Sequence, residues 1–176
     1  DRAGRGRGGP AGGGGRGGGP AAGRAARGPR AVLCTCSTIG GVAERSAAEL
    51  GVPVLRVDRP MAAEAVGSDR IVVVATVEST LAPTLDLLRE ESGDRTSFVT
   101  TLVVDGAWER FEAGDRDGYL DTVAAALDRI PADGGVVVLA QASMADAAER
   151  TTTPLSVLSS PRLGLAAAAT AVRRHG

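Results

Sequence analysis

The sequence predicts an α/β fold with mostly parallel sheets, and three observations predict it. Six apolar runs rich in Val and Leu recur after residue 30, without the polar alternation of a half-solvated sheet. Such runs suit strands covered on both faces. Segments with helical spacing lie between them, the alternation expected of parallel strands joined by crossover helices. Finally, the chain nearly repeats itself: "AVLCTCSTIGGVAER" ends at Arg45 and "VVVLAQASMADAAER" at Arg150, an offset of 105 residues.

The first thirty residues, "DRAGRGRGGPAGGGGRGGGPAAGRAARGPR", hold only Gly, Arg, Ala, Pro and one Asp. With no Val, Ile, Leu or aromatic side chain they cannot offset the entropy of ordering, so residues 1–30 are expected to be disordered. Seven arginines against Asp1 give this tail a charge near +6, while residues 31–176 carry thirteen arginines against twenty acids, near −7. A Gly/Arg tail can bind RNA through phosphates and stacking. All twenty basic residues are Arg, however, with no Lys or Asn anywhere. Arginine runs therefore reflect a general bias, and nucleic acid is not expected as a partner.

The strands are expected at "AVLCT" (31–35), "PVLRV" (53–57), "RIVVVAT" (70–76), "SFVTTLVV" (97–104), "GVVVLA" (135–140) and "PLSVL" (154–158). In 79–92, Leu81, Leu85 and Leu88 form one stripe behind Ser79, a candidate helix cap. In 117–130, Leu120, Val123, Leu127 and Ile130 repeat at helical spacing, and a further helix follows Pro161. There is no run of about 18 apolar residues and no apolar stretch near the start, so neither a membrane span nor a signal peptide is expected, and the chain reads as cytoplasmic with reduced thiols.

In the register of the repeat, Cys36 matches Gln141, Ser37 matches Ala142, Thr38 matches Ser143 and Ile39 matches Met144. A second match, "PVLRVDRPMAAEAV" with "PLSVLSSPRLGLAAAA", sets Asp58-Arg59-Pro60 against Ser159-Ser160-Pro161 at an offset of 101. Two related halves would bring strand ends with small polar loops to face each other across a cleft, where open parallel sheets bind ligands. Cys36 would then precede a helix whose free N–H groups bind anions and lower a thiol's pKa, while Gly40 and Gly41 allow close approach of a ligand. The alternative for Cys36 is a small buried hydrophobe, and that is the expectation for Cys34. Cys-x-Cys without a second pair makes neither a disulfide framework nor a zinc site, and the single histidine, His175, excludes most imidazole chemistry.

The segments "VLCTCSTIGG", "VVVATVESTLAPTL", "VVVLAQASMADAAE" and "PLSVLSSPRLGLAAA" together resemble the aspartate/glutamate/hydantoin racemase superfamily over residues 31–176. The resemblance implies two pseudo-symmetric α/β halves, an active site between them, no cofactor or metal, and a small carboxylate or amino-acid-like substrate. It also implies a cysteine from each half flanking the substrate's α-carbon. Cys36 falls on the first of these, but Gln141 occupies the place of the second and has no useful acid or base function. Ser37 and Thr38 can cap the helix, the commoner role, or donate to a ligand carboxylate, and Gln141 can hydrogen-bond a substrate carboxylate or carbonyl. The resemblance sets Thr76, Ser79, Thr80 and Ser143 near strand ends that hold substrate carboxylates. Asp58 and Arg59 follow another strand and are candidates to line the cleft, Arg59 either pairing with an acidic substrate or, the commoner fate, forming a surface salt bridge.

The resemblance implies leading strand-helix units before the cysteine strand, where this sequence has the Gly/Arg tail, so either a fragment or a stripped first half is expected. The expected organisation is thus a truncated first half (31–68), a second half (69–160) and a C-terminal helix (161–176) returning to the first. Three functions follow: an isomerase using one thiol, an inactive small-carboxylate-binding protein, or RNA binding through the tail. A homo-oligomer is compatible with each.

Overall fold

The computed structural model describes residues 28–174. The expectation of disorder over 1–30 falls mostly outside them; residues 28–30 are exposed, and Arg30 donates to the Val172 carbonyl at 3.0 Å. The elements run β1 (Val32–Cys34), α1 (Ser37–Arg45), α2 (Ala47–Leu50), β2 (Val54–Arg56), α3 (Arg59–Ala65), β3 (Arg70–Ala75) and α4 (Leu81–Ser92). They continue with β4 (Phe98–Val103), α5 (Ala107–Glu112), α6 (Arg116–Leu127), β5 (Val136–Leu139), β6 (Ser156–Ser159) and α7 (Ser160–Arg174). Two 3₁₀ segments, Glu78–Thr80 and Ala142–Glu149, follow β3 and β5.

The strands make two parallel sheets, a pair β1-β2 and a four-stranded sheet in the order β4-β3-β5-β6. All six expected apolar runs are strands, and the α/β reading holds. The repeat is visible in the pairing: β1 beside β2 and β5 beside β6 are both parallel neighbours, each first strand leading into a helical segment. Cys36 and Gln141, matched in the repeat, both precede those segments in extended conformation, at φ −105°, ψ 116° and φ −126°, ψ 137°.

Alternation along β3 and β5 divides the core between the two faces of the larger sheet. Ile71, Val73 and Val138 face α3, α4 and α7, where Met61, Ala62, Leu87 and Leu88 are buried and Leu81 and Leu85 pack at the margin. The α4 stripe is therefore real but rotated, with Leu87 and Leu88 deepest. Val72, Val74, Val137 and Leu139 face α6, where Leu120, Val123 and Leu127 are buried and Ile130 packs against them as its spacing predicts. α7 packs against α3 and β2. A side chain at Gly164 would bring its Cβ within 2.3 Å of the Val57 carbonyl oxygen, so this helix rests directly on the β2–α3 connection.

Three expectations are corrected. Ser79 does not cap α4: it is exposed in the 3₁₀ turn, and Thr80 occupies the cap position without a capping bond. β4 is not covered on both faces; five of its six residues are exposed, on a strand at one of the sheet's two edges. Cys34 is half-buried rather than buried, since β1 has one strand beside it, and its Sγ donates to the Cys36 carbonyl at 3.5 Å.

Candidate functional site

The carboxyl ends of four strands surround a cleft of about 300 Å³. β1 supplies the lead into Cys36, Ser37 and Thr38; β2 leads to Val57 and Asp58; β5 leads to Gln141; β6 leads to Ser160. Thr80 closes another side. Parallel strands deliver side chains here because every crossover returns the chain to the same end of the sheet, leaving the loops at the other end free to carry ligand groups.

Cys36 is exposed to the cleft. Its sulfur makes no full capping bond to α1, yet the N–H of Ile39, and after it that of Thr38, favours the anion and holds the thiol below the usual cysteine range. Slight burial and the Asp58 carboxylate act in the opposite sense and are outweighed. Because the thiolate is the reactive form, alkylation of Cys36 by iodoacetamide is expected to persist to lower pH than that of a free cysteine peptide. The rate should fall only as pH drops through the depressed pKa. A midpoint at or above that of the peptide would contradict the helix-end effect.

Gln141 is held from behind. Its Oε1 accepts from the Thr76 backbone N–H at 2.7 Å and from Thr76 Oγ1 at 2.9 Å. A backbone N–H can only donate, so the amide oxygen must be the atom turned toward Thr76. The Nε2 group has no partner among the described residues, and Gln141 lines the cleft. Thr76 itself is buried and acts through Gln141. Thr80 lines the cleft but donates its hydroxyl to the Val77 carbonyl at 2.7 Å.

Asp58, which lines the cleft, belongs to a buried ion pair whose other member, Arg56, is outside the lining. Arg56 and Asp58 are each 5% exposed and bond through two contacts of 2.9 Å, Nε to Oδ1 and Nη2 to Oδ2. Arg56 Nη2 also donates to the Ser37 carbonyl at 3.4 Å, tying β2 to the start of α1. Gly40 makes room for this guanidinium: a Cβ there would lie 2.5 Å from Arg56 Nε. The glycine thus serves a side chain of the protein, whereas the sequence suggested approach of a ligand.

Three sequence-selected hydroxyls stand outside the cleft lining, the buried Thr76 behind Gln141 and two serines. Ser143 points to α6, where it shares a 2.8 Å hydrogen bond with the Tyr119 hydroxyl, and Ser79 lies on the exposed turn. Arg59 also turns away, pairing with Glu44, Glu90 and Glu91. Sequence reasoning passed over Arg56 and Ser160. The repeat carried a signal for Ser160, which stands where Arg59 stands in the other copy; a lone arginine inside an apolar run was the signal for Arg56. Among the described residues no group of three or more His, Cys, Asp or Glu is placed to hold a metal.

These features define an α/β protein with a thiol-bearing cleft at the ends of parallel strands. No family model and no curated protein sequence matches the chain. Solved structures do. A glutamate racemase of Thermus thermophilus in complex with β-chloro-D-alanine superposes with TM-score 0.63 at 19% identity, over 85% of this chain and 58% of that one. A glutamate racemase of Bacillus anthracis gives TM-score 0.58 at 18% identity, over 84% of this chain and 59% of that one. Arylmalonate decarboxylase gives 0.52 at 16% identity, over 85% and 70%. The chain therefore shares the fold of these glutamate racemases and of arylmalonate decarboxylase, and spans under two thirds of the racemases' length.

Proposed function

We propose that the chain is a member of the Asp/Glu racemase superfamily and performs cofactor-independent acid–base chemistry at a carbon next to a carboxylate, with Cys36 as its single catalytic thiol. The division into a short first half (31–68), a second half (69–160) and a returning helix (161–176) is part of this reading. The observation that carries it is the exposed Cys36 sulfur, held below the normal thiol range at the start of α1, in one cleft with Gln141.

In the forward step the thiolate takes the α-proton. The C–H bond breaks, its electron pair moves into the adjacent carboxylate as an enediolate, and the proton rests on sulfur. That proton exchanges with solvent, and the thiol returns one to carbon on the same face. Gln141 cannot deliver a proton from the opposite face. Its free amide N–H groups instead suit a carboxylate or enediolate oxygen, with Ser37 and Thr38 as further hydrogen-bonding groups. The same arrangement serves decarboxylation, in which the C–CO₂⁻ bond breaks and the thiol protonates the resulting carbanion.

The test is incubation with aspartate, glutamate or hydantoins in heavy water. Deuterium should enter the α-position with little change in enantiomeric composition, because one base works from one face. If no substrate acquires deuterium, and Cys36→Ala behaves as the parent does, the catalytic reading fails. Gln141→Glu is expected to raise KM for a carboxylate substrate by roughly tenfold or more, since a charged-group hydrogen bond worth about 1.5–3 kcal/mol becomes a repulsion. An unchanged KM would remove Gln141 from substrate binding.

Gln141 in place of a second thiol also favours a second reading, a small-carboxylate-binding protein without turnover. Thermal stabilisation by dicarboxylates that survives Cys36→Ala, with no exchange in the parent, distinguishes it.

A further inference from the structure

We propose that the edge strand β4 is a homodimer interface, on which a second copy adds its own β4 antiparallel to extend the sheet across a two-fold axis. β4 pairs with β3 on one side only. Its sequence, FVTTLV, is apolar and β-branched, yet Phe98 is 62% exposed, Val99 37% and Val103 36%. None of the usual devices protects it: the strand contains no Pro, no Lys and no other charge. A hollow of about 360 Å³ lies against one face, between β4 and the end of α6, and one of about 730 Å³ against the other, beside α4.

The backbone and the charges select one arrangement. Phe98 N donates to the Asp69 carbonyl and Val104 N to that of Ala75, so the even-numbered residues bond β3 and the N–H groups of Val99, Thr101 and Val103 point outward. A two-fold axis perpendicular to the sheet keeps each face on its own side. With the axis at Thr100, Val99 and Thr101 of opposite copies exchange backbone hydrogen bonds. Phe98 then meets the other copy's Leu102 on the α6 face, an aromatic–aliphatic cross-strand pair. The same register sets Arg95 opposite Asp105 at both ends of the ribbon, so charge is self-complementary.

A second copy fits better than a lone strand. β3 of the two copies would stand three strand spacings apart, about 14 Å, and the helices packed on them have diameters of about 10–12 Å. Helices α4 and α6 of both copies would then flank the ribbon and fill the hollows over β4. Residues 1–27 are unsuited to the place, for they contain no Val, Ile, Leu or aromatic side chain to match Phe98 and Val99.

The experiment is sedimentation and light scattering of the full chain over a wide concentration range. The parent should associate reversibly to twice the mass of the chain. Thr101→Pro removes an outward N–H without touching a bond to β3, so it should be monomeric with an unchanged circular-dichroism spectrum. Val99→Lys should be monomeric too, and provides the same reading should the proline variant not fold. Arg95→Asp or Asp105→Arg alone should weaken dimerisation roughly three- to tenfold, and the double exchange should restore it. A parent that stays monomeric, a dimer indifferent to both Thr101→Pro and Val99→Lys, or a double exchange that fails to recover affinity would each overturn the proposal.

Discussion

Cys36→Ala is expected to lower α-proton exchange by roughly 10²–10⁴-fold, the range a positioned acid–base group contributes. The fold should be untouched: Cys36 is exposed, and its sulfur provides no full capping bond whose loss would unravel α1. Substrate affinity should also hold, because the hydrogen-bonding groups of Ser37, Thr38 and Gln141 remain in the cleft. Cys36→Ser is the sharper control. It preserves size and polarity, but a hydroxyl at this position is far too weakly acidic to exist as the anion at neutral pH, so its exchange rate should resemble that of the alanine variant. Both rates can be read by NMR in heavy water, alongside thermal melts. Exchange within a few-fold of the parent, in a folded variant, would show that the sulfur is not the base.

Arg56→Ala should produce the largest loss of stability, about 3–5 kcal/mol, measured as a lowered urea midpoint. The cost comes from Asp58, 5% exposed in the intact protein, which loses its partner, and from the void left beneath Gly40. This is a large share of the about 5–15 kcal/mol that typical domains have in total. Replacing both residues together with apolar side chains of similar volume should cost much less, because no unpaired charge is left behind. A fall below about 1 kcal/mol for Arg56→Ala would mean that water reaches the pair. The cleft depends on this contact as well: Arg56 holds the Ser37 carbonyl, and Ser37 begins the helix that presents Cys36.

Much of the site was legible before any coordinates. The repeat alone matches Cys36 with Gln141, and the structure places both in one cleft with equivalent extended backbone. What the repeat could not convey was direction. Ser143 matches Thr38 in sequence, but the Ala142–Glu149 segment is a 3₁₀ helix, in which side chains emerge at a different angle from those of α1, and Ser143 turns to Tyr119. Arg59 sits beside Asp58, yet a one-residue step at a helix start sends it to Glu44 on the far side. The burial of β4 was misjudged because composition reports what a strand could bury, and an edge strand lacks the neighbours to do it.

The order of elements was determined by the chain alone. Apolar runs and helical spacing act over a few residues, and their periods differ enough to separate strand from helix. The sequence also determined that Cys36 precedes a helix, and hence that its thiolate is favoured. Tertiary structure decided the rest: which strands became the sheet's edges, that Gly40 accommodates Arg56, and that Thr76 holds the Gln141 amide oxygen. Each of these is a contact between residues far apart in the chain, or an absence of one. Such contacts follow from how whole elements pack, and no local pattern encodes that.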